Sequence, residues 1–283
     1  MRIAIAGYNG FIGSSIVSGG SNNEFIFLSR KLLYGDNEVL ANSLENTDAV
    51  LNFAWYPIAK RWTGKRKKLI WESRITITQN IVKAIEHCKI KPGVFINSSA
   101  IGIYKYDTIN TEEDYFFGES TLAGLVSAWE NEAEKVHPEV KLKIIRLGLV
   151  LGRKGGALPF LLRLFNLGLG GKIGSGKQVY SFIHIQDVVQ AVYFLLDNKE
   201  EGIFNLTAPE PVTNKVFTET LARQMKRPAF FAVPSFVLNL MLGNAAELIT
   251  RGQTVLPQKL LNAGYKFTFA TINEAIENIL TGK

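Results

Sequence analysis

Three groups of residues in this sequence have the types and spacing for chemistry. Gly7, Gly10 and Gly13 punctuate residues 2–13, RIAIAGYNGFIG, in the spacing G-x-x-G-x-x-G. Ser98, Ser99 and Tyr104 follow a short apolar run in NSSAIGIY, and Gln178, Ser181, His184 and Asp187 crowd into GKQVYSFIHIQD. The glycines suit a phosphate. Residues 3–6 extend as a buried strand; Gly7 permits a tight turn, Gly10 lets the backbone approach a pyrophosphate, and Gly13 lets a helix starting near Phe11 pack on the strand. The contacts expected for a dinucleotide therefore run from Gly7 through Asn9 and Gly10 to Phe11, Ile12 and Gly13, where the helix N-terminus offers free N–H donors and a positive dipole end. An ordinary glycine turn is the alternative; position directly after the first strand favours the dinucleotide.

The elements that must hold these groups follow from apolar runs and turn residues. A second strand at 25–28 (FIFL) leads into Ser29-Arg30-Lys31. A ribose 2′-hydroxyl at that point is normally held by an acidic side chain, whereas a 2′-phosphate wants a guanidinium, so Ser29 and Arg30 favour NADP(H), with NAD(H) left open. The alternative is that Arg30 and Lys31 begin a solvated loop. Residues 31–34 suggest a short third strand closed by Gly35-Asp36, with Asp36 near the adenine, then a helix at 38–44. A fourth strand at 48–54 (DAVLNFA) ends with Ala54 beside the cofactor, a long helix spans 65–87, and a fifth strand at 94–97 delivers Ser98, Ser99 and Tyr104 beyond its carboxyl end, where ligands of open parallel sheets bind. A helix at 119–136 precedes a sixth strand at 142–147, which carries Arg146 to the cofactor.

Beyond Gly152 the pattern loosens into a glycine-rich stretch at 155–176, a helix at 185–196, a strand at 203–206 and helices at 213–225, 236–242, 257–263 and 272–280. The expected fold is α/β: a Rossmann-type doubly wound parallel sheet over 1–152 and a smaller, mostly helical substrate domain over 153–283. The two pack together around a cleft, with some segments interleaved.

With 283 residues, 47% hydrophobic and 20% charged, the chain can bury a large core, and disorder is excluded as its class. Strand and turn occupy the first residues, so no secretory or transit peptide is expected, and the single cysteine, Cys88, permits no internal disulfide. A cytoplasmic setting and no metal site follow as expectations. The net charge of +7 is densest at 60–68, KRWTGKRKK, which reads as a solvated helix start, a rim for a phosphorylated substrate or cofactor, or a nucleic-acid patch. No nucleic-acid module accompanies it, so the expected partner is a small molecule, not nucleic acid. Residues 229–246 carry no charge, yet Pro234, Ser235, Asn239, Gly243 and Asn244 interrupt them, so a buried helix is expected and no membrane span. Oligomeric state is left open.

Longer motifs give a resemblance. Through GYNGFIG, DAVLNFA, NSSAIGIY, RLGLVLG and FIHIQDVVQA the chain resembles the extended and atypical short-chain dehydrogenase/reductases. Through RWTGKRKKLIWESR, GLGGKIGSGKQ, NLTAPEPVTN and VLPQKLLNAGYKF it is similar, over nearly its whole length, to an epimerase-like family labelled nucleotide-sugar epimerase or cell-division-inhibitor-like.

The resemblance implies a nicotinamide cofactor, a serine that orients the substrate carbonyl, and a Tyr-x-x-x-Lys pair on the helix after strand five, the tyrosine acting as acid/base and the lysine lowering its pKa. Ser99 matches the serine, with Ser98 beside it. The pair is missing: its places fall at Leu122 and Val126. Tyr115 and Lys135 lie twenty positions apart, about 30 Å along a helix, and Pro57 breaks the helix that Tyr56 and Lys60 would need. Tyr104 is better placed, although Lys105, where the family usually has glycine, points away from it if the segment is extended. A tyrosine without a lysine keeps a pKa of about 10 and suits proton donation to a reduced carbonyl.

At FIHIQDVVQA the resemblance implies a substrate cleft, with Gln178, Ser181 and His184 facing it. His184 is either a proton donor or a structural residue beside a helix capped by Asp187. Asn205, Thr207 and Pro209 shape the wall. The expected function is an NADP(H)-binding oxidoreductase or epimerase acting on a nucleotide-sugar or small carbonyl substrate, with Ser99 polarising and Tyr104 protonating. Its rival is a catalytically reduced, cell-division-related regulator.

Overall fold

Ile3, Ala4, Ile5 and Ala6 are fully buried, as a parallel strand covered by helices on both faces requires. Residues 1–58, 61–234, 236, 238, 240 and 243–282 are described by a computed structural model. The chain runs β1 (Arg2–Ala6), α1 (Phe11–Gly19), β2 (Glu24–Leu28), α2 (Arg30–Leu33), α3 (Asn37–Leu44), β3 (Ala49–Asn52), α4 (Gly64–His87), β4 (Val94–Ala100), β5 (Ile109–Asn110), α5 (Thr121–Ala133) and β6 (Lys141–Leu147). It continues with β7 (Leu149–Leu151), α6 (Leu158–Asn166), β8 (Gly171–Ile173), β9 (Val179–Tyr180), β10 (Phe182–His184), α7 (Ile185–Asp197) and β11 (Gly202–Leu206). After β12 (Val212–Thr213), α8 (Asn214–Met225), β13 (Phe231–Val233) and β14 (Thr254–Val255), the last helix is Ile272–Thr281.

The main sheet is parallel and six-stranded, in the order β2-β1-β3-β4-β6-β11. The chain steps outward from β1 to β2 and then crosses back to β3, so the order reverses at the carboxyl ends of β1 and β3. Ligands of such sheets bind at this switch point. One face packs on α1 and α7 through Ile12, Ile16, Val188 and Leu195; the other packs on α3 and α4 through Leu40, Ile77, Ile81 and Ile85. A smaller core joins α6, α8 and Ile272–Thr281 through Phe165, Phe217, Leu221 and Ile276.

One expectation changes. Residues 31–34 form no strand: Ser29 Oγ accepts the Leu32 N–H at 3.2 Å and caps α2, because a serine followed by Arg-Lys-Leu-Leu satisfies a helix start and supplies no β-branched residue for a strand. β11, from beyond residue 152, completes the first sheet, and α7 packs on its face. The helix expected over 236–242 falls largely on positions outside the described residues.

Asp187, in the first turn of α7, fixes the returning C-terminal segment to the sheet. It accepts the Thr268 N–H at 2.8 Å, the Phe269 N–H at 3.0 Å and the Tyr265 hydroxyl at 3.2 Å. Asp187→Ala strands the buried Phe269 amide and the Thr268 amide beside it and should lower stability by about 2 kcal/mol. Hydrogen exchange at Thr268 and Phe269 should rise with it; unchanged protection there would refute the anchoring role.

Candidate functional site

The glycine cradle is closed tightly around the end of β1. Gly7 has φ +80°, and a Cβ on it would lie 2.2 Å from the Phe53 carbonyl oxygen; a Cβ on Gly13 would lie 2.2 Å from the carbonyl oxygen of Gly7. Gly10 donates its N–H to Gly7 O at 2.9 Å, holding the turn. Side chains cap α3, α4, α5, α7 and α8, namely Asp36, Thr63, Ser120, His184 and Thr213, but none caps α1. The opening amides of α1, like those of α6, therefore have no side-chain acceptor, and at the switch point they are placed to meet an anionic group. Asn9 and Gly10 are exposed on the rim of the turn. Ile12 joins the core, and the Phe11 ring packs onto the backbone of the 152–156 segment, where a Cβ on Gly155 would lie 2.4 Å from it. Ala54 follows Phe53, whose carbonyl presses on Gly7, so its backbone lies beside the cradle.

At the end of β2, Ser29 caps α2 and Arg30 opens it. The Arg30 guanidinium lies 5.6 Å from the centre of the Tyr34 ring, and Arg30, Lys31, Tyr34 and Glu72 line an open recess. Asp36 accepts the Glu38 N–H at 2.7 Å and starts α3. Its carboxylate therefore has a structural task besides any contact with adenine.

Beyond β3 and β4 lies a buried polar lattice: Asn52 donates to Asn97 at 2.7 Å and to Thr78 at 3.1 Å, and Trp129 donates to Thr78 at 2.9 Å. The two adjacent serines diverge, as neighbours on a strand must. Ser98 is on the side of Ile96, in the α1 core, and its buried hydroxyl has no protein partner. Ser99 faces α5 and donates to Glu130. Glu130 is held by Arg146 through paired bonds of 2.8 and 2.7 Å; Arg146 also donates to the Tyr104 hydroxyl at 2.8 Å, and Tyr104 donates to Asn205 at 2.7 Å. Tyr104 and Arg146 are each 1% exposed. Burial pushes the Tyr104 pKa above its usual value, outweighing the neighbouring guanidinium. Burial also opposes the Arg146 charge, but Glu130 reverses this and the net shift is upward.

The structure thus brings Ser99, Tyr104 and Arg146 into one network, but sealed on the α5 side, with both hydroxyls engaged. Leu122, where the resemblance puts tyrosine, lines a small pocket with Trp62, Thr121, Glu247 and Leu248. The residues expected to meet substrate brace the C-terminal segment instead: Gln178 donates to Ile249 O, and Ser181 donates to Gln253 O while accepting the Val255 N–H. His184, not Asp187, caps α7, accepting the Gln186 N–H at 3.1 Å while its ring lies 4.0 Å from that of Phe269. Burial drives its pKa from 6.5 to about 4, so it is neutral near pH 7 and poorly suited to donate a proton. Glu130 and Glu112 escaped sequence reasoning, because an acid within or beside a helix gives no sign that tertiary packing will bury it.

A glycine cradle at the switch point of a doubly wound sheet defines a Rossmann-type nucleotide-binding protein. Residues 3–207 match the NAD dependent epimerase/dehydratase family, and residues 233–279 match a domain of unknown function. The chain belongs to the NAD dependent epimerase/dehydratase family. It is 32% identical to the chloroplastic SDR39U1 homolog of Arabidopsis thaliana, covering 99% of this chain and 87% of that one. To the epimerase family protein YfhF of Bacillus subtilis it is also 32% identical, over 100% and 99%. The structure of human epimerase family protein SDR39U1 with NADPH superposes with a TM-score of 0.93 at 31% identity over the whole of both chains. UDP-glucuronic acid 4-epimerase of Bacillus cereus, with UDP-glucuronic acid and NAD, shares the fold: TM-score 0.81 and 17% identity over 99% and 98%. These relatives bear out the epimerase-like resemblance. Among the described residues no helix is long and apolar enough to cross a membrane.

Glu130→Ala should destabilise the protein by about 3–5 kcal/mol in denaturant unfolding, because it leaves the Arg146 charge buried and unpaired, whereas Glu130→Leu combined with Arg146→Met should recover much of that loss. A double variant no more stable than Glu130→Ala would disprove the pairing. Between pH 6.5 and about 4 the unfolded chain holds a proton on His184 that the folded chain does not, so stability falls as pH drops through that window, by up to about 1.4 kcal/mol per unit. His184→Asn, which keeps a capping side chain, should flatten the slope; equal slopes in the two proteins would exclude His184 as its source.

Proposed function

We propose that the protein binds NADP(H) and reduces a small carbonyl-bearing or nucleotide-sugar substrate. The observation that carries this reading is the cradle: Gly7 and Gly13 admit no side chain, and α1 opens on them without a cap. That donor set fits a pyrophosphate, and the orphaned Ser98 hydroxyl fits a polar group arriving on the α1 side of β4. Arg30, exposed at the end of β2, supports a 2′-phosphate, and the human relative was solved with NADPH. When bound, the nicotinamide would supply the hydride, and the proton that completes the alcohol would come from solvent water. Of the two serines, only Ser98 has an uncommitted hydroxyl, since Ser99 is tied to Glu130; Ser98 is fully buried, so a carbonyl meets it only where the ligand displaces the side chains that cover it. Reduction suits this site better than oxidation, because no tyrosine or lysine stands on α5 to deprotonate an alcohol, and Tyr104, buried with a raised pKa, is no base.

A second reading, an NADP(H)-occupied regulator with reduced catalysis, draws support from the same departure: Leu122 and Val126 stand where a proton-transfer pair would.

Fluorescence titration tests the cofactor. Arg30→Ala should weaken NADPH binding by about tenfold or more and leave NADH unaffected, and equal losses for both would remove the phosphate role. Turnover of NADPH against a carbonyl panel separates the readings. Ser98→Ala should lower kcat/KM by about tenfold to a hundredfold with NADPH binding retained, whereas full activity in that variant removes its role. Tight NADPH binding without turnover of any carbonyl selects the regulator.

A further inference from the structure

Arg74 is a buried cation with no anion. It is 5% exposed, on the sheet-facing side of α4, and among the described residues no carboxylate pairs with it. Arg146, equally enclosed, has Glu130. Arg74 has only carbonyl oxygens: its Nη1 donates to Tyr56 O and Ile70 O, each at 3.2 Å, and its guanidinium lies 5.2 Å from the centre of the Trp129 ring. Nε and Nη2 make no hydrogen bond among the described residues, and neither is one of the sealed polar atoms without a partner, so that edge of the fork still reaches accessible space. Desolvation alone acts on its pKa, which is lowered to about 10. An ionised guanidinium enclosed without a counter-charge is costly, and that cost is offset when an oxyanion meets its free edge.

Its position ties this edge to the cleft. Tyr56 belongs to the segment leaving β3, and Ile70 is one helical turn earlier on α4. Both pack with Leu122, Val126 and Leu248, and Leu122 and Leu248 also line the small pocket. Trp129 continues the stripe of α5 that begins at Leu122 and Val126. The same end of α4 carries Lys65, Arg66, Lys67 and Lys68, of which Lys68 faces Glu72 at 3.6 Å. Cations thus accumulate toward this mouth.

We propose that Arg74 is the anion-recognition residue of the cleft, its free guanidinium edge binding a carboxylate or phosphate oxygen of the substrate beside the apolar stripe of α5. The substrate is then an anionic carbonyl compound. This inference rests on the cofactor reading only in that NADPH fills the glycine cradle and removes it as a competing anion site.

The test is a thermal-unfolding titration of NADPH-saturated protein with inorganic phosphate and with succinate, against sodium chloride at matched ionic strength. Phosphate or succinate should raise Tm by an increment that grows with the logarithm of its concentration, while chloride should not, and which of the two acts identifies the oxyanion. Arg74→Gln should weaken that apparent affinity by at least about tenfold, Arg74→Lys should keep part of it, and Lys199→Ala, exposed before β11, should keep all of it. No increment in the native protein, or the same increment in Arg74→Gln, overturns the proposal. If Arg74→Gln fails to fold, crystals of the native protein soaked in selenate, an anomalously scattering oxyanion, decide it: an anomalous peak at the Arg74 edge together with the solution increment supports the site, while no peak overturns it. Absence of NADPH binding at the outset would instead sink the cofactor reading, so the two failures are distinct.

Discussion

The Glu130–Arg146 ion pair, closed off from water between α5 and β6, is the constraint on which the rest of the second layer depends. A bidentate pair in a low-dielectric interior has one good geometry, and every group bonded to it inherits that geometry. Ser99 on β4 is fixed through Glu130, and Tyr104 in the following loop through Arg146. Asn205 on β11 is fixed in turn through Tyr104, and its own N–H is taken by Glu112 at 2.8 Å. One ion pair therefore sets the relation of three neighbouring strands, a helix and the loop over their carboxyl ends.

On α5 itself the places of the expected Tyr-x-x-x-Lys pair are apolar. Leu122 and Val126 turn the relevant face into apolar wall, joined to Ile70, Ile103 and Tyr104 in a single cluster. The polar groups this family is expected to place at the strand ends are still present, but they have moved one layer back and serve architecture. Among the described residues, Ser98 on β4 and Arg74 on α4 are left with unmet hydrogen-bonding capacity.

The C-terminal segment laces together elements distant in sequence. Residues 249–256 receive bonds from Gln178, Tyr180, Ser181, Asn205 and Thr207, and Gln253 returns one to the Tyr104 carbonyl. The side chains crowded into GKQVYSFIHIQD are polar because they must satisfy the backbone of this segment, which forms only the two-residue β14 and leaves most of its carbonyls and amides without a sheet partner.

Local chemistry alone determined the first sheet and the cradle. Apolar runs at residues 3–6 and 94–97 could only be buried strands, and glycines at 7 and 13 mark close backbone approach, because these constraints act within a few residues. The expected strand at 31–34 failed for an equally local reason, the capping power of Ser29. Tertiary structure decided which of two adjacent serines faces the α1 side, whether Tyr104 is a reagent or a strut, and that His184 is a neutral cap. It also decided that, among the described residues, Arg146 has an anion and Arg74 has none. Those outcomes depend on partners 16 to 101 positions away, such as Glu130 for Arg146 and Asn205 for Tyr104, and on the loss of solvent around them. Burial and pairing fix the charge and availability of a side chain, and neither is written in the residues beside it.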